Sequence, residues 1–220
     1  MRIGLDFDNT LVAYGHAFRD LAVALELAPK SIPPDKSTVR AWIWEHHSDE
    51  AWQRLQAKVY GPHINRGRLT DGAEDFLLMC RDRGAELCII SHKTEFAAIA
   101  PDGVNLHQAA LGWMEAKGFF LPVCAGGFGF SPGEIFFEKT RAAKIARINR
   151  LGCNVFVDDL PEVLTHPDLS PYVERILYRD SPDQVEGCIL AAPWPGIANH
   201  LFPAHCTTIV HGRRNTCVKN

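Results

Sequence analysis

The sequence lacks several patterns that would assign a chain to a special class of protein. No apolar run reaches membrane-spanning length, and there is no repeat of solenoid period and no low-complexity block. The seven cysteines form no C-x-x-C pair, and the ten histidines form no H-E-x-x-H motif. We therefore expect no membrane association, no zinc site, and thiols that are reduced and mostly structural.

The chain also has no marked excess of charge of either sign. Its 220 residues include 23 Lys and Arg against 26 Asp and Glu, a formal net charge of −3. Nucleic-acid binding without sequence preference generally needs a basic surface, so a nucleic-acid partner is not expected. Met1 and Arg2 lead directly into an apolar strand with acidic residues instead of a signal peptide, and this favours a cytoplasmic location.

Buried strands alternate with helical segments along the chain. Apolar runs that end in polar or acidic residues predict central strands at 2–8, 86–91 and 154–158. Helical spacing predicts helices from the N-cap Asp71 to Gly84 and from Thr140 to Leu151. Less regular patterns predict two outer strands and two short helices, at 175–178, 187–190, 160–164 and 197–202. The chain is therefore predicted to form an α/β fold with a Rossmann-like, doubly wound, mostly parallel sheet.

A second helical pattern interrupts this alternation after the first strand. It extends from about Gly15 to Gln56, with a break at Pro33 and Pro34. We expect a discontinuous core of residues 1–13 and 69–205, a helical insertion of residues 14–68, and a polar tail of residues 206–220. The aromatic residues of the insertion could line a pocket, but aromatic residues at helical spacing usually form core, and core is the favoured interpretation.

Acidic and hydroxyl side chains are found where the three central strands end. Asp6 and Asp8 end the first strand, Ser91 ends the second, and the pair Asp158 and Asp159 ends the third. Ligands of open α/β sheets bind at the carboxyl ends of the strands, so these groups should converge. Because close carboxylates repel one another, we expect a divalent cation, and the hard oxygen ligands favour Mg²⁺ held by Asp6, Asp8, Asp158 and Asp159.

The motif Asp6-Phe-Asp8-Asn9-Thr10 resembles the D-x-D-x-T signature of the haloacid dehalogenase-like (HAD) superfamily, and Val157-Asp158-Asp159 is similar to its acidic fourth motif. Ser91 and a downstream lysine fit the second and third motifs. The resemblance covers residues 1–11 and roughly 70–180. It implies a Rossmann-like core with a helical cap inserted after the first motif.

The resemblance also implies roles for individual residues. Asp6 would attack phosphorus and form an aspartyl-phosphate, while Asp8 would act as general acid and then as general base. Ser91 would donate a hydrogen bond to a phosphoryl oxygen. The third-motif lysine could be Lys144 or Lys139, and Lys144 is favoured because it lies in the first turns of the helix before the acidic strand.

Further residues are candidates for contact with the substrate. Asn9 and Thr10 follow the two acids, although Thr10 also suits a role in tying down the loop. The family resemblance places Tyr14 and His16 in a mobile segment after the first strand. His92 and Lys93 follow Ser91, where they could contact the leaving group or be solvated.

These features predict a Mg²⁺-dependent phosphatase that acts on a small phosphorylated metabolite, a phosphomonoester. The rival interpretations are a non-catalytic binding module with the same fold and, less favoured, another HAD chemistry such as dehalogenation, which would need neither Asp8 nor Mg²⁺. The identity of the phosphoester, the choice between Asp158 and Asp159 as direct metal ligand, and the choice between monomer and homodimer stay open.

Overall fold

The computed structural model describes residues 1–99, 103–179 and 186–203. Within these ranges, six strands form one sheet in the order β5-β4-β1-β6-β7-β8, and each adjacent pair is parallel. These strands are β1 (Arg2–Leu5), β4 (Glu86–His92), β5 (Ile135–Glu138), β6 (Val155–Asp158), β7 (Glu174–Tyr178) and β8 (Leu190–Ala192); two short strands, β2 (Val12–Ala13) and β3 (Arg68–Leu69), pair antiparallel outside the sheet. The predicted α/β fold with a doubly wound sheet is confirmed.

Eight α-helices occur in the described residues. They are α1 (Gly15–Ala24), α2 (Lys36–His46), α3 (Asp49–Tyr60), α4 (Ala73–Asp82), α5 (Leu106–Ala116), α6 (Arg141–Leu151), α7 (Pro161–Leu164) and α8 (Trp194–Leu201). The longest has 12 residues, and within the described ranges none combines the length and the apolar character that a membrane crossing requires.

Side chains alternate between the two faces of the sheet and form a core on each. Ile3 and Leu5 of β1 belong to a core shared with α4, α5 and α8, whereas the opposite core contains α6 and α7. Gly4 lies between Ile3 and Leu5 in β1, and a Cβ at this position would lie 2.6 Å from the ring of Phe156. The missing side chain therefore lets β6 pack tightly against β1.

The helices α1, α2 and α3 follow β2 and precede β3, so the β2–β3 pair joins both ends of the helical insertion to the sheet domain. The insertion has its own apolar centre. There the ring of Phe18 stacks on Trp52 with centroids 5.0 Å apart, and the Tyr60 ring meets Phe18 edge-on at 5.6 Å.

Most predicted elements are present, but several boundaries were wrong. The N-cap of α4 is Gly72 in a left-handed conformation, not Asp71, because the chain turns sharply there against Trp194 and Pro195 of α8. The last strand begins at Leu190 instead of Gly187, whose left-handed φ of 82° interrupts an extended run. The predicted tail, residues 206–220, lies outside the described residues.

One buried hydroxyl links three parts of the fold. Thr70 donates its Oγ1 hydrogen to the carbonyl oxygen of Thr10 at 2.7 Å and accepts the indole N–H of Trp194 at 2.7 Å. Trp194 is fully buried and packs on Phe76 of α4. The loop that follows β1 is thus tied to the C-terminal helix α8 through a single side chain.

We predict that Thr70→Val destabilises the protein by about 1–3 kcal/mol, because it leaves a buried N–H and a buried carbonyl without this partner. Thr70→Ser keeps the hydroxyl and loses one methyl group, so its cost should be about 1 kcal/mol or less. Urea unfolding of both variants measures the difference. Equal costs would show that the hydroxyl contributes nothing beyond its packing.

Candidate active site

The sheet order brings the predicted acidic and hydroxyl residues to one edge. Strand β1 lies between β4 and β6, so the ends of the three central strands are adjacent. The backbone N–H of Asp6 donates to the carbonyl of Val157 at 2.9 Å, which extends the β1–β6 pairing to the first acid. Ser91, at the end of β4, is buried beside them. The predicted convergence therefore follows from the parallel register.

Lys144 occupies the centre of this edge and is 1% exposed. Its Nζ lies 2.5 Å from Oδ1 of Asp6 and 2.6 Å from Oδ2 of Asp158. The Thr140 side chain caps α6 by accepting the N–H of Ala143, and this cap sets the first turn so that Lys144 faces the strands. Burial lowers the pKa of Lys144, but the two carboxylates outweigh burial and the net shift is upward.

Three carboxylates lie close together near this ammonium group, and its single positive charge cannot balance them. Oxygens of Asp6, Asp158 and Asp159 all lie within 4.8 Å of one another. Burial and then repulsion from Asp158 raise the pKa of Asp159 to about 7. Burial also raises the pKa of Asp6 well above its usual range, although Lys144 acts in the opposite direction. Such a cluster is suited to a further cation, and its hard oxygen donors match Mg²⁺.

The second predicted acid, Asp8, has two protein partners of its own. The hydroxyl of Tyr14 donates to Oδ1 of Asp8 at 2.9 Å, and Nζ of Lys93 lies 2.8 Å from Oδ2. Lys93 is 5% exposed, and its ammonium group lies 4.6 Å from the ring centroid of Tyr60. Both oxygens of Asp8 are therefore held in place by residues from outside β1.

From the sequence, Lys93 could either contact the leaving group or be solvated. Solvation is wrong, because the side chain is buried. The available signal was its spacing of two from Ser91, which places both side chains on the buried side while His92 between them is exposed. Tyr60 was missed entirely. It lies at the end of α3, and no local pattern connects it with a residue 33 positions later.

The other candidate residues lie around this centre. Thr10 is buried, with its Oγ1 3.5 Å from Oδ1 of Asp159, and Asn9 adopts a left-handed φ of 64° in the loop between the two acids and β2. His16 is exposed on α1. His92 is exposed, and its Nε2 lies 3.2 Å from the backbone oxygen of Lys139.

A cavity of about 500 Å³ opens beside Asp8. One wall is a face of α3 that includes Gln53, Gln56 and Tyr60, and the rest of the lining includes residues 92–94 and 97–99 and Leu106. The carboxylates and Lys144 lie at the ends of the strands below. The cavity thus adjoins Asp8, the second acid of the loop that carries Asp6, and its volume is sufficient for part of a small molecule.

We predict that Lys144→Met destabilises the protein by about 3–5 kcal/mol, because it leaves two buried carboxylates without their cation. Lys139→Met provides the matched control, since the side chain of Lys139 is exposed and the expected change is within about 0.5 kcal/mol. Urea unfolding at neutral pH tests both. Similar values for the two variants would contradict the central position of Lys144.

The raised pKa of Asp159 predicts a pH-dependent stability. A carboxyl group with a raised pKa in the folded state contributes its stability below the pKa of the unfolded chain, and this stability is lost as the pH rises toward about 7. In metal-free buffer containing EDTA, Asp159→Asn should therefore gain stability relative to the wild type between about pH 5 and about pH 8. Asp71→Asn, on the exposed surface, should show a constant difference. Parallel curves for Asp159→Asn would refute the expectation.

Comparisons with known proteins identify the fold. No family model and no curated protein matches this sequence. Among solved structures, a HAD family hydrolase from Deinococcus radiodurans R1, determined with bound phosphate and sodium, is similar with a TM-score of 0.51 and 14% identity, over 91% of this chain and 94% of that chain. A haloacid dehalogenase-like family hydrolase from Streptococcus pneumoniae is similar with a TM-score of 0.53 and 14% identity, over 91% and 97% of the two chains. The sheet domain and its acidic edge thus belong to a chain with the fold of HAD hydrolases.

Proposed function

We propose that this chain is a Mg²⁺-dependent phosphatase that hydrolyses a small phosphomonoester through an aspartyl-phosphate on Asp6. The observation that carries the proposal is the buried ammonium group of Lys144 between Asp6 and Asp158, with Asp159 beside them. A buried excess of carboxylates is costly unless cations compensate it. Phosphoryl transfer needs cations at such a site, because a dianionic phosphate must approach a negatively charged carboxylate nucleophile.

The acid cluster fits Mg²⁺ in donor chemistry and spacing. Both oxygens of Asp158 already accept hydrogen bonds, one from Lys144 and one from the N–H of Leu160 at 2.9 Å. We therefore assign Asp159 and Asp6 as direct ligands, and Asp158 as the residue that holds Lys144. When bound, Mg²⁺ would lower the pKa of Asp6 and neutralise charge on the phosphoryl oxygens.

In this proposal one carboxylate oxygen of Asp6 would bind Mg²⁺ and the other attacks phosphorus, and the bond to the leaving oxygen breaks. Asp8 in its protonated form donates a proton to the leaving oxygen, which departs as the alcohol, and it recovers a proton from the water that hydrolyses the aspartyl-phosphate. Tyr14 and Lys93 fix both oxygens of Asp8, so its orientation is set before substrate binds. The hydroxyl of Ser91 donates to a phosphoryl oxygen.

Bound phosphate in the Deinococcus radiodurans structure supports this assignment, since that protein binds the product of the proposed reaction in the same fold. Dehalogenation is less favoured because it makes no use of Asp8 or of the pair Asp158 and Asp159. A binding module would gain nothing from clustering four carboxylates, two of them buried, with two buried lysines.

We predict that Asp6→Asn lowers the hydrolysis of p-nitrophenyl phosphate by about a thousand-fold or more, because the amide is not nucleophilic. EDTA should abolish wild-type activity, and Mg²⁺ should restore it. Initial rates at saturating substrate measure both effects, and circular dichroism checks that the variant is folded.

Asp71→Asn is the matched control and should retain wild-type rates, since the side chain of Asp71 is exposed and does not belong to the acid cluster. Activity of Asp6→Asn within tenfold of the wild type, or activity that persists in EDTA, would exclude the proposed mechanism. A wild-type protein inactive on a broad panel of phosphoesters would favour the binding module.

A further inference from the structure

The cavity beside Asp8 contains an aromatic surface that the proposed chemistry does not use. Trp44 of α2 lines the cavity and is 50% exposed. Its indole N–H donates to Oδ1 of Asp49 at 3.0 Å, and the guanidinium of Arg40 lies 5.0 Å from its ring centroid. An exposed indole that is held by two side chains presents a rigid apolar surface to a ligand.

Trp44 differs in this respect from the other tryptophans of the insertion. Trp52 also lines the cavity, but it is 4% exposed and stacks on Phe18, so it belongs to the core of the insertion. Trp42 stacks on His46 with centroids 3.8 Å apart and does not line this cavity. The core interpretation of the sequence therefore holds for Trp52 and fails for Trp44.

The lysine and the acids that line the cavity favour a leaving group without negative charge. Lys93, the lysine of its described lining, is already paired with Asp8. Asp49 accepts hydrogen bonds from Trp44 and from the side-chain amide of Gln53. Lys93 is therefore not free to neutralise an anion, and Asp49 adds negative charge to the lining.

Uncharged polar groups complete the lining. The amides of Gln53 and Gln56 lie on successive turns of α3, and Thr94 also lines the cavity. Amide and hydroxyl groups can donate to and accept from the edge of a heterocyclic ring. A flat ring on Trp44 would therefore meet hydrogen-bonding partners along one edge and apolar surface on its face.

We propose that this cavity binds the base of a nucleoside monophosphate, whose phosphate is placed at Asp6. The inference rests on the proposed phosphatase function and names the substrate class. Nucleoside monophosphates combine a flat, uncharged, hydrogen-bonding ring with the alcohol that carries the phosphate. Base stacking on an aromatic side chain and hydrogen bonds from amides match both features of the lining.

The test compares each nucleoside 5′-monophosphate (AMP, GMP, CMP and UMP) with ribose 5-phosphate, which is the same ester without its base. In the wild type, kcat/KM for the best nucleotide should exceed that for ribose 5-phosphate by about tenfold or more. Trp44→Ala should lower this ratio about tenfold, mainly through KM of the nucleotide, because the stacking surface is removed. Trp44→Phe, which retains a ring, should keep most of the ratio.

Tyr172→Ala is the matched control for loss of an exposed aromatic residue, since Tyr172 is 91% exposed and outside the cavity lining. It should leave both substrates at wild-type values. Ribose 5-phosphate hydrolysed as well as every nucleotide, or a ratio unchanged in Trp44→Ala, would overturn the inference.

Failure of the phosphatase proposal gives a different result. If the protein hydrolyses neither these esters nor p-nitrophenyl phosphate, calorimetric titration with AMP and ribose 5-phosphate in Mg²⁺ decides the binding question separately. Tighter binding of AMP that is lost in Trp44→Ala would preserve the base-binding cavity. Equal or undetectable binding of both would overturn it.

Discussion

The site depends on one buried ion pair network, in which the ammonium group of Lys144 joins Asp6 to Asp158. Removing these three charges from water is costly, so they persist only because β1, β6 and α6 hold them at hydrogen-bond distance. The parallel order of the sheet brings the two acids side by side, and the Thr140 cap aims the lysine at them. The geometry of Asp6 is therefore a property of the whole sheet domain.

The single positive charge of Lys144 does not neutralise the acids around it, so the site has an excess of negative charge. Asp159 and Asp6 have raised pKa values because burial and neighbouring carboxylates disfavour their charged forms. When all three acids are ionised, Lys144 leaves two negative charges uncompensated, and a divalent cation would balance them. In the proposed mechanism this cation would also screen an approaching phosphoryl group. Asp8 has its own partners, because Tyr14 donates to one of its carboxylate oxygens and Lys93 pairs with the other.

The central part of this arrangement could be predicted from the sequence, because it depends on local periodicity. Apolar strands that end in acid fixed the positions of Asp6 and Asp158, and a helix cap at Thr140 favoured Lys144 over Lys139. Contacts between distant segments could not be predicted in this way. The Lys93–Tyr60 contact and the cap at Gly72 arise from packing between elements far apart in the chain. Trp44 and Trp52 have similar sequence contexts, and only the structure shows that Trp44 is exposed and Trp52 is buried.

The central claim is that Asp6 becomes phosphorylated during turnover. The most direct measurement begins by reacting the protein with Mg²⁺ and a phosphoester that it hydrolyses. The reaction is then quenched, the acyl phosphate is reduced with borohydride, and the reduced residue is located by peptide mass spectrometry. The account predicts homoserine at position 6, formed only when substrate and Mg²⁺ are both present. Conversion at Asp8, Asp158 or Asp159 instead, or turnover with no conversion at any aspartate, would contradict it.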